Sequence, residues 1–289
     1  MAAGGRYRAR VIEDAPIEDP SVGALLAFEA RAHRWPERTV SELAGGLLVH
    51  DPADPEPIFN RLVNPSWPGD ERDVDQRDWD RWLAPILAAF ERLERRPHLW
   101  LVADADDPRV VRLAVAGFEV IGTSRYMALA TGEPVHAEAE RQLPGVQIER
   151  VDGRSGRPLR AAGDLAAVVA DAFDLELALH VLVEADIVRM LDVPTIGFVL
   201  ARLRGEPVAV ARRTTDGTAT LLAAIGTRRG FRDRGLARLV TATAAVDALA
   251  AGSRTIYLGV EDGNEAAQQL YRGLGFRFAA GNVVAVLRR

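Results

Sequence analysis

The sequence predicts an α/β (α+β) protein of two domains, each a mixed, mostly antiparallel central sheet flanked by helices. Three observations carry that prediction. The second half reads as strand, helical segment, three antiparallel strands, helix, strand, helix, strand. The first half closes with the same strand–helix–strand order, displaced by 158 residues. Finally, 289 residues, 48% apolar and 27% charged, are enough for two globular cores and unlike a disordered or fibrous chain.

Each element has a local reason. In the first half, 98–103 is an apolar run that reads as a strand, and 106–116 has helical spacing. Gly117-Phe118 stops that helix, and 126–130 is again a strand. The stretch 131–144, TGEPVHAEAERQLP, is polar, holds two prolines and lacks apolar periodicity, so it reads as a linker. It places the domain boundary between 1–140 and 141–289. Beyond it, 146–151 alternates as a strand, and 159–173 is rich in Ala, Leu and Val at helical spacing. Two runs of β-formers, 196–203 and 207–213, flank Arg204-Gly205-Glu206, a tight hairpin. Asp216-Gly217 turns the chain into a third strand, 218–225. A long helix covers 235–250 with Leu236, Leu239, Val240, Val246 and Leu249 as its stripe. Then come a buried strand at 255–260, a helix at 264–274 opened by Asn264, and a last strand at 282–287. Laying Gly117-Phe118 on Gly275-Phe276 sets strand on strand and Asp106 on Asn264, which reads as an internal duplication.

Composition removes whole classes of chemistry. Without cysteine there is no thiol nucleophile, disulfide or thiolate metal site. All 36 basic residues are arginine, so there is neither a Schiff-base lysine nor a P-loop lysine. The five histidines, 33, 50, 98, 136 and 180, are scattered without metal-ligand spacing, so no metal is expected. Residues 1–140 hold 16 arginines against 25 acids and residues 141–289 hold 20 against 16, balances of −9 and +4 within a net −5. An anionic ligand therefore belongs to the second half, but the charge is too weakly clustered for nucleic acid. No uncharged apolar run reaches the roughly 18 residues of a membrane span. Residues 1–16 carry acids where a secretory signal needs an apolar stretch, and cytoplasm is the expected compartment.

The most informative segment is Ile225-Gly-Thr-Arg-Arg-Gly-Phe-Arg-Asp-Arg-Gly-Leu-Ala237, where a strand ends, a loop with glycines and arginines follows, and a long helix starts. Unpaired amides at a helix N-terminus point outward, and the helix dipole adds about half a positive charge there. Glycine at 235 lets the backbone approach a phosphate closely. Further on, right after a buried strand, stands Asn264-Glu-Ala-Ala-Gln-Gln-Leu-Tyr271-Arg-Gly-Leu-Gly-Phe276.

Together these segments resemble the GNAT superfamily of acyl-CoA-dependent N-acyltransferases. Arg232-Asp-Arg-Gly235-Leu-Ala237 is similar to its R/Q-x-x-G-x-G/A pyrophosphate loop, and Ile225-Gly226-Thr227 to the V-G-T end of its fourth strand. Asn264, Ala267, Leu270, Tyr271 and Gly275-Phe276 match its closing motif. The resemblance spans roughly 146–289, with two departures: Arg229 replaces a usual proline and Asp233 a usual glycine. It implies acetyl-CoA as cosubstrate, two GNAT-like domains, and a primary amine that attacks the thioester directly in a ternary complex. It also implies residue roles. The amides of Arg232, Asp233, Arg234, Gly235, Leu236 and Ala237 hold the pyrophosphate, while Ile225, Gly226 and Thr227 align the pantetheine arm. Asn264 touches pantetheine, and Tyr271 protonates the departing thiolate. A phenol near pKa 10 stays protonated at pH 7 and lies close enough to a thiol near 8.5 to give up that proton.

Many superfamily members carry a base on the fourth strand, but here 218–225 contains no carboxylate or histidine. Glu261 and Asp262, at the end of the next strand, are the nearest candidates, and no base is assigned. The first half has Leu113 where the second has Tyr271, and an acid-rich loop, Trp67 to Asp75, where a phosphate loop would stand. It reads as a degenerate copy that has lost the cofactor. All five tryptophans, 35, 67, 79, 82 and 100, fall in it; Trp79 and Trp82 share a helix face and are candidates for core or for the domain interface. An acidic half beside a CoA-binding half favours a small cationic amine as acceptor, with no nucleic-acid or membrane partner. The competing reading is a CoA-binding sensor or scaffold without turnover. Oligomeric state is open between monomer and homodimer.

Overall fold

A computed structural model of the chain describes residues 27, 30, 38–68, 75–152 and 158–287. In the first half, β1 (Thr39–Leu43) and β2 (Gly46–His50) form a hairpin through Ala44 and Gly45, both at positive φ as a tight twisted turn requires. β3 (Arg61–Val63), α1 (Gln76–Arg92), β4 (His98–Leu101), α2 (Pro108–Val115) and β5 (Phe118–Leu129) follow, then α3 (Glu133–Ala139). The second half runs β6 (Val146–Val151), α4 (Pro158–Ala172), α5 (Leu177–Leu191), β7 (Ile196–Leu203), β8 (Glu206–Asp216) and β9 (Ala219–Thr227). It closes with α6 (Leu236–Ala250), β10 (Thr255–Glu261), α7 (Glu265–Gly273) and β11 (Phe276–Leu287). The mixed, mostly antiparallel architecture expected from sequence is present.

All eleven of these strands join one sheet, in the order β1-β2-β3-β4-β11-β5-β10-β9-β8-β7-β6. The two halves exchange their last strands within it. β11 lies between β4 and β5, and β5 lies between β11 and β10, so each half's final strand is separated from its own sheet by that of the other. β5 and β11 are both twelve residues long and pair antiparallel from Phe276 opposite Leu129 to Leu287 opposite Phe118. Gly117 and Gly275, which end the preceding helices, have φ of 92° and 93°, the left-handed conformation of a helix C-terminal glycine. A pseudo-twofold axis therefore runs between β5 and β11, relating residues 158 apart, as the duplication predicts.

Alternation along the strands assigns the two faces. Val199 and Ala201 of β7 face α6 and α7 in one cluster, whereas Phe198 and Leu200 face α4 and α5 in another. In the first half, α1 and α2 cover β4 and the end of β11. Trp67, Trp79 and Trp82 stack there with ring centroids 4.8–5.8 Å apart, and the Trp82 indole donates to the Ser66 carbonyl at 2.6 Å. They are core, in a cluster that also takes in Val283 and Ala285 of β11 and so joins the two halves; His33, Trp35 and residues 69–74 of the acid-rich loop lie outside the described residues.

Two expectations need correction. The stretch read as a linker contains α3, which packs on α6 and buries Val135 completely. Seven residues make only two turns, too few for an apolar period to show. The expected strands 126–130 and 282–287 are twice as long as read, because their outer parts are built from exposed or mixed residues such as Glu119, Ile121 and Arg277. Their backbone is held by each other rather than by a buried face.

Candidate active site

The site forms where two parallel strands part. β9 and β10 pair only from Ala219–Thr255 to Leu222–Leu258, and beyond that β10 continues along β5 to Glu261 while β9 follows β8 to Thr227. A bulge drives the separation. Between Gly226 opposite Val210 and Ala223 opposite Arg212, β9 holds one residue more than its partner, and Ala224 within it has φ of 48°. Bulges bend and twist a strand, and a non-glycine residue at positive φ persists only where its surroundings enforce it. The β10-facing backbone of Ala223 to Thr227 is thereby left without a strand partner.

The expected site residues gather around this gap. Ile225 packs against the cluster that contains Leu236 and Tyr271. A Cβ on Gly226 would sit 2.7 Å from that of Ala172 and 3.2 Å from the Phe173 ring, so this glycine is demanded by the end of α4. Thr227 is buried, and its hydroxyl has no hydrogen-bond partner among the described residues; a buried hydroxyl normally bonds to protein, ligand or water.

Past Thr227 the chain makes a short 3-10 turn, Arg229–Phe231, and then two left-handed residues, Asp233 at φ 61° and Gly235 at φ 76°. The left-handed conformation at 233 is adopted by aspartate, one of the side chains that tolerates it. Asp233 is exposed and has no ion pair among the described residues. Gly235 is the N-cap of α6 and offers no side chain to it; the first intrahelical bond runs from Leu239 to the Gly235 carbonyl at 3.0 Å. The amides of Leu236, Ala237 and Arg238 thus emerge uncapped from the helix end. Of the loop arginines, Arg228 and Arg229 are answered by Glu206, Asp171 and Asp174. Arg232 and Arg234 donate to the carbonyls of Ala172, Thr227 and Gly230, and Arg234 also lies over the Phe231 ring, but neither meets a carboxylate among the described residues. The end of α6 is consequently cationic, unhindered and unsatisfied, which fits a pyrophosphate.

α1 is the contrast. Its N-cap, Asp75, turns its own carboxylate onto the Asp78 amide at 2.8 Å. The helix that would face a cofactor in the first half is closed by a built-in anion, and Leu113 is buried at the position related to Tyr271.

Tyr271 lies on the inner face of α7 with its ring edge-on to Phe276, 6.2 Å between centroids. Burial pushes its phenol up to about 12. That widens the gap to a thiol near 8.5, compared with the free phenol near 10. Asn264 caps α7, its side-chain oxygen accepting from the Ala267 amide at 3.1 Å, so only its NH₂ is left for a ligand. Asp262 is held by Arg125 of β5 at 2.5 Å, and that guanidinium keeps it below the usual carboxylate range. Glu261 is exposed, with no side-chain partner among the described residues. His180 accepts a structural role, 3.2 Å from the Leu175 carbonyl between α4 and α5. Sequence reasoning missed the bulge at Ala224 and the contribution of β5, neither of which leaves a local signal.

Residues 171–276 match the model of the Acetyltransferase (GNAT) family. No curated protein matches the chain. Among solved structures, a GCN5-related N-acetyltransferase from Kribbella flavida superposes over 92% of this chain and 96% of its own, with a TM-score of 0.65 at 22% identity. A tandem GNAT protein from the clavulanic acid biosynthesis pathway covers 89% of this chain and 85% of its own, TM-score 0.59 at 15% identity. A GCN5-related N-acetyltransferase from Sphaerobacter thermophilus covers 98% and 95%, TM-score 0.52 at 16% identity. At these identities the likeness is one of fold. The fold of both halves together is thus similar to that of these tandem and GCN5-related structures. More particularly, it is within the second half, at residues 171–276, that the chain matches the GNAT family model.

Proposed function

We propose that the protein transfers an acetyl group from acetyl-CoA to a small primary amine, with both bound at once in the second half. The observation that carries this reading is the parting of β9 from β10 at Leu222 and Leu258 beside the uncapped end of α6. Bound acetyl-CoA supplies the activated acyl group as a thioester. The amides of Leu236 and Ala237, with Arg232 to Gly235, hold the pyrophosphate through charge-assisted bonds of about 1.5–3 kcal/mol each. Ile225, Gly226 and Thr227 present an unpaired strand edge to the pantetheine arm, and the Thr227 hydroxyl has a partner to gain. Asn264 offers its NH₂ to the same arm. The Tyr271 hydroxyl donates to the departing sulfur. Because its pKa is raised, it stays neutral throughout the neutral range and acts as a hydrogen-bond donor to the negative charge that develops on the sulfur. The first half borders the gap through β5 and carries a charge balance of −9, which supports a cationic acceptor.

Calorimetric titration tests the cofactor part of this reading. The wild type should bind one equivalent of acetyl-CoA with micromolar affinity, and Gly235→Glu should bind none. A glutamate there meets both the positive φ and the incoming phosphate. Failure of the wild type to bind would sink the proposal, and a second equivalent would mean that the first half also holds cofactor. An amine panel with thiol-release detection then tests turnover; preference for neutral or anionic amines over cationic ones of similar size would remove the charge argument. Asp233→Gly should tighten acetyl-CoA binding about threefold or more by removing a carboxylate beside the pyrophosphate, with a modest rise in melting temperature. An unchanged Kd would mean that Asp233 is screened by solvent.

A further inference from the structure

The segment between the halves ends against the cofactor loop. Glu138 of α3 is buried and serves two guanidinium groups, accepting from Arg238 Nε at 2.7 Å and from Arg141 Nη1 at 3.2 Å. Arg238 also donates to the Gly273 carbonyl at 2.9 Å, tying α6 to α7. One carboxylate against two arginines leaves a net positive charge at the first turn of α6, where the helix dipole adds to it. Arg141 is the accessible member, its side chain 53% exposed. Its Nη1 lies 3.7 Å from where a Cβ on Gly235 would stand. Arg141 also lines a groove of about 690 Å³ between the inter-half segment, β6 and α6. Val146, Ile148 and Leu239 give that groove an apolar wall, while Gln142 and the exposed Glu140 stand among the polar residues lining it.

We propose that Arg141 is a phosphate ligand of bound acyl-CoA and that this groove receives the adenosine end of the molecule, an inference that rests on the pyrophosphate reading of the α6 terminus. The chemistry matches part by part. An apolar wall suits a purine face. A guanidinium anchored at one nitrogen keeps its remaining donors for a phosphate oxygen. Glu138 positions it, since without that contact the long side chain would lose its fixed direction. Two sources of phosphate are within the ligand's chemistry: the pyrophosphate and the 3′-phosphate of the ribose.

Titration of acetyl-CoA and of acetyl-3′-dephospho-CoA into wild type, Arg141→Ala and Arg141→Lys separates them. Arg141→Ala should weaken acetyl-CoA binding about tenfold or more, as expected for loss of a charge-assisted bond, and Arg141→Lys should recover part of it. Equal losses with both ligands identify the pyrophosphate; a loss confined to acetyl-CoA identifies the 3′-phosphate. Wild-type binding with an unchanged Arg141→Ala affinity for both overturns the inference while leaving the proposed function standing. If the wild type binds neither ligand, the pyrophosphate reading falls and this inference with it. Arg141 is exposed, so the variant should fold, which an unchanged melting temperature verifies.

Discussion

Residues 141–289 expressed alone should fail to fold, even though they contain every residue assigned to the cofactor. β11 has no strand partner in its own half: it pairs with β4 on one side and β5 on the other, both from residues 1–140. Without them, Val283 and Val286, both buried, lose their cover. Exposing these two side chains alone costs roughly 3–6 kcal/mol, against a typical domain stability of about 5–15 kcal/mol. β10 would also lose β5 and become an open edge, a template for aggregation. The fragment should therefore be insoluble or show no cooperative thermal transition by circular dichroism. Co-expressed with residues 1–140 it should recover a one-to-one complex, because the exchanged strands are held without a covalent link. A fragment that melts cooperatively at the temperature of the intact chain would show that β11 can occupy the place of β5, and the exchange would then be a preference only.

The second large effect is chemical. Tyr271→Phe should lower kcat by about 10²-fold while leaving the Kd for acetyl-CoA within about twofold, because the hydroxyl acts on the departing sulfur and the ring packing on Phe276 is preserved. A variant that keeps its rate would remove Tyr271 from the mechanism. A raised pKa also sets two pH signatures. In the wild type, ionisation of Tyr271 should produce no alkaline limb in the rate profile until near pH 12. For stability, a buried phenol favours the protonated form, so its contribution is present below pH 10 and is lost as pH rises from 10 towards 12. Tyr271→Phe should accordingly show a flatter loss of melting temperature across that window.

Much of the site is legible in sequence because it is local. Glycine at 235 and at 275 answers a backbone demand at a single residue, and Asn264 caps the helix that begins after it. The strand–loop–helix order from Ile225 to Ala237 and the tyrosine on α7 need only short-range rules. So does the duplication, since both copies keep a glycine at positive φ followed by a strand of equal length. Asp233 belongs with these: its left-handed φ follows from the loop itself, and the sequence showed only that a glycine was missing.

The rest depends on which distant segments meet. β5 and β11 carry similar patterns, so nothing local decides whether each returns to its own half or crosses to the other; pairing of the two strands along their full length decides it. The same non-local packing makes α3 a helix in a stretch with no visible period and gathers Trp67, Trp79 and Trp82 into one core. It also raises the Tyr271 phenol through desolvation and sets Arg141 beside Gly235. The sequence by itself determined the cofactor loop, the caps and the repeated halves, because those are properties of a few consecutive residues. Only the tertiary structure determined how the halves interlock and which charges face the site, because those depend on contacts between residues far apart in the chain.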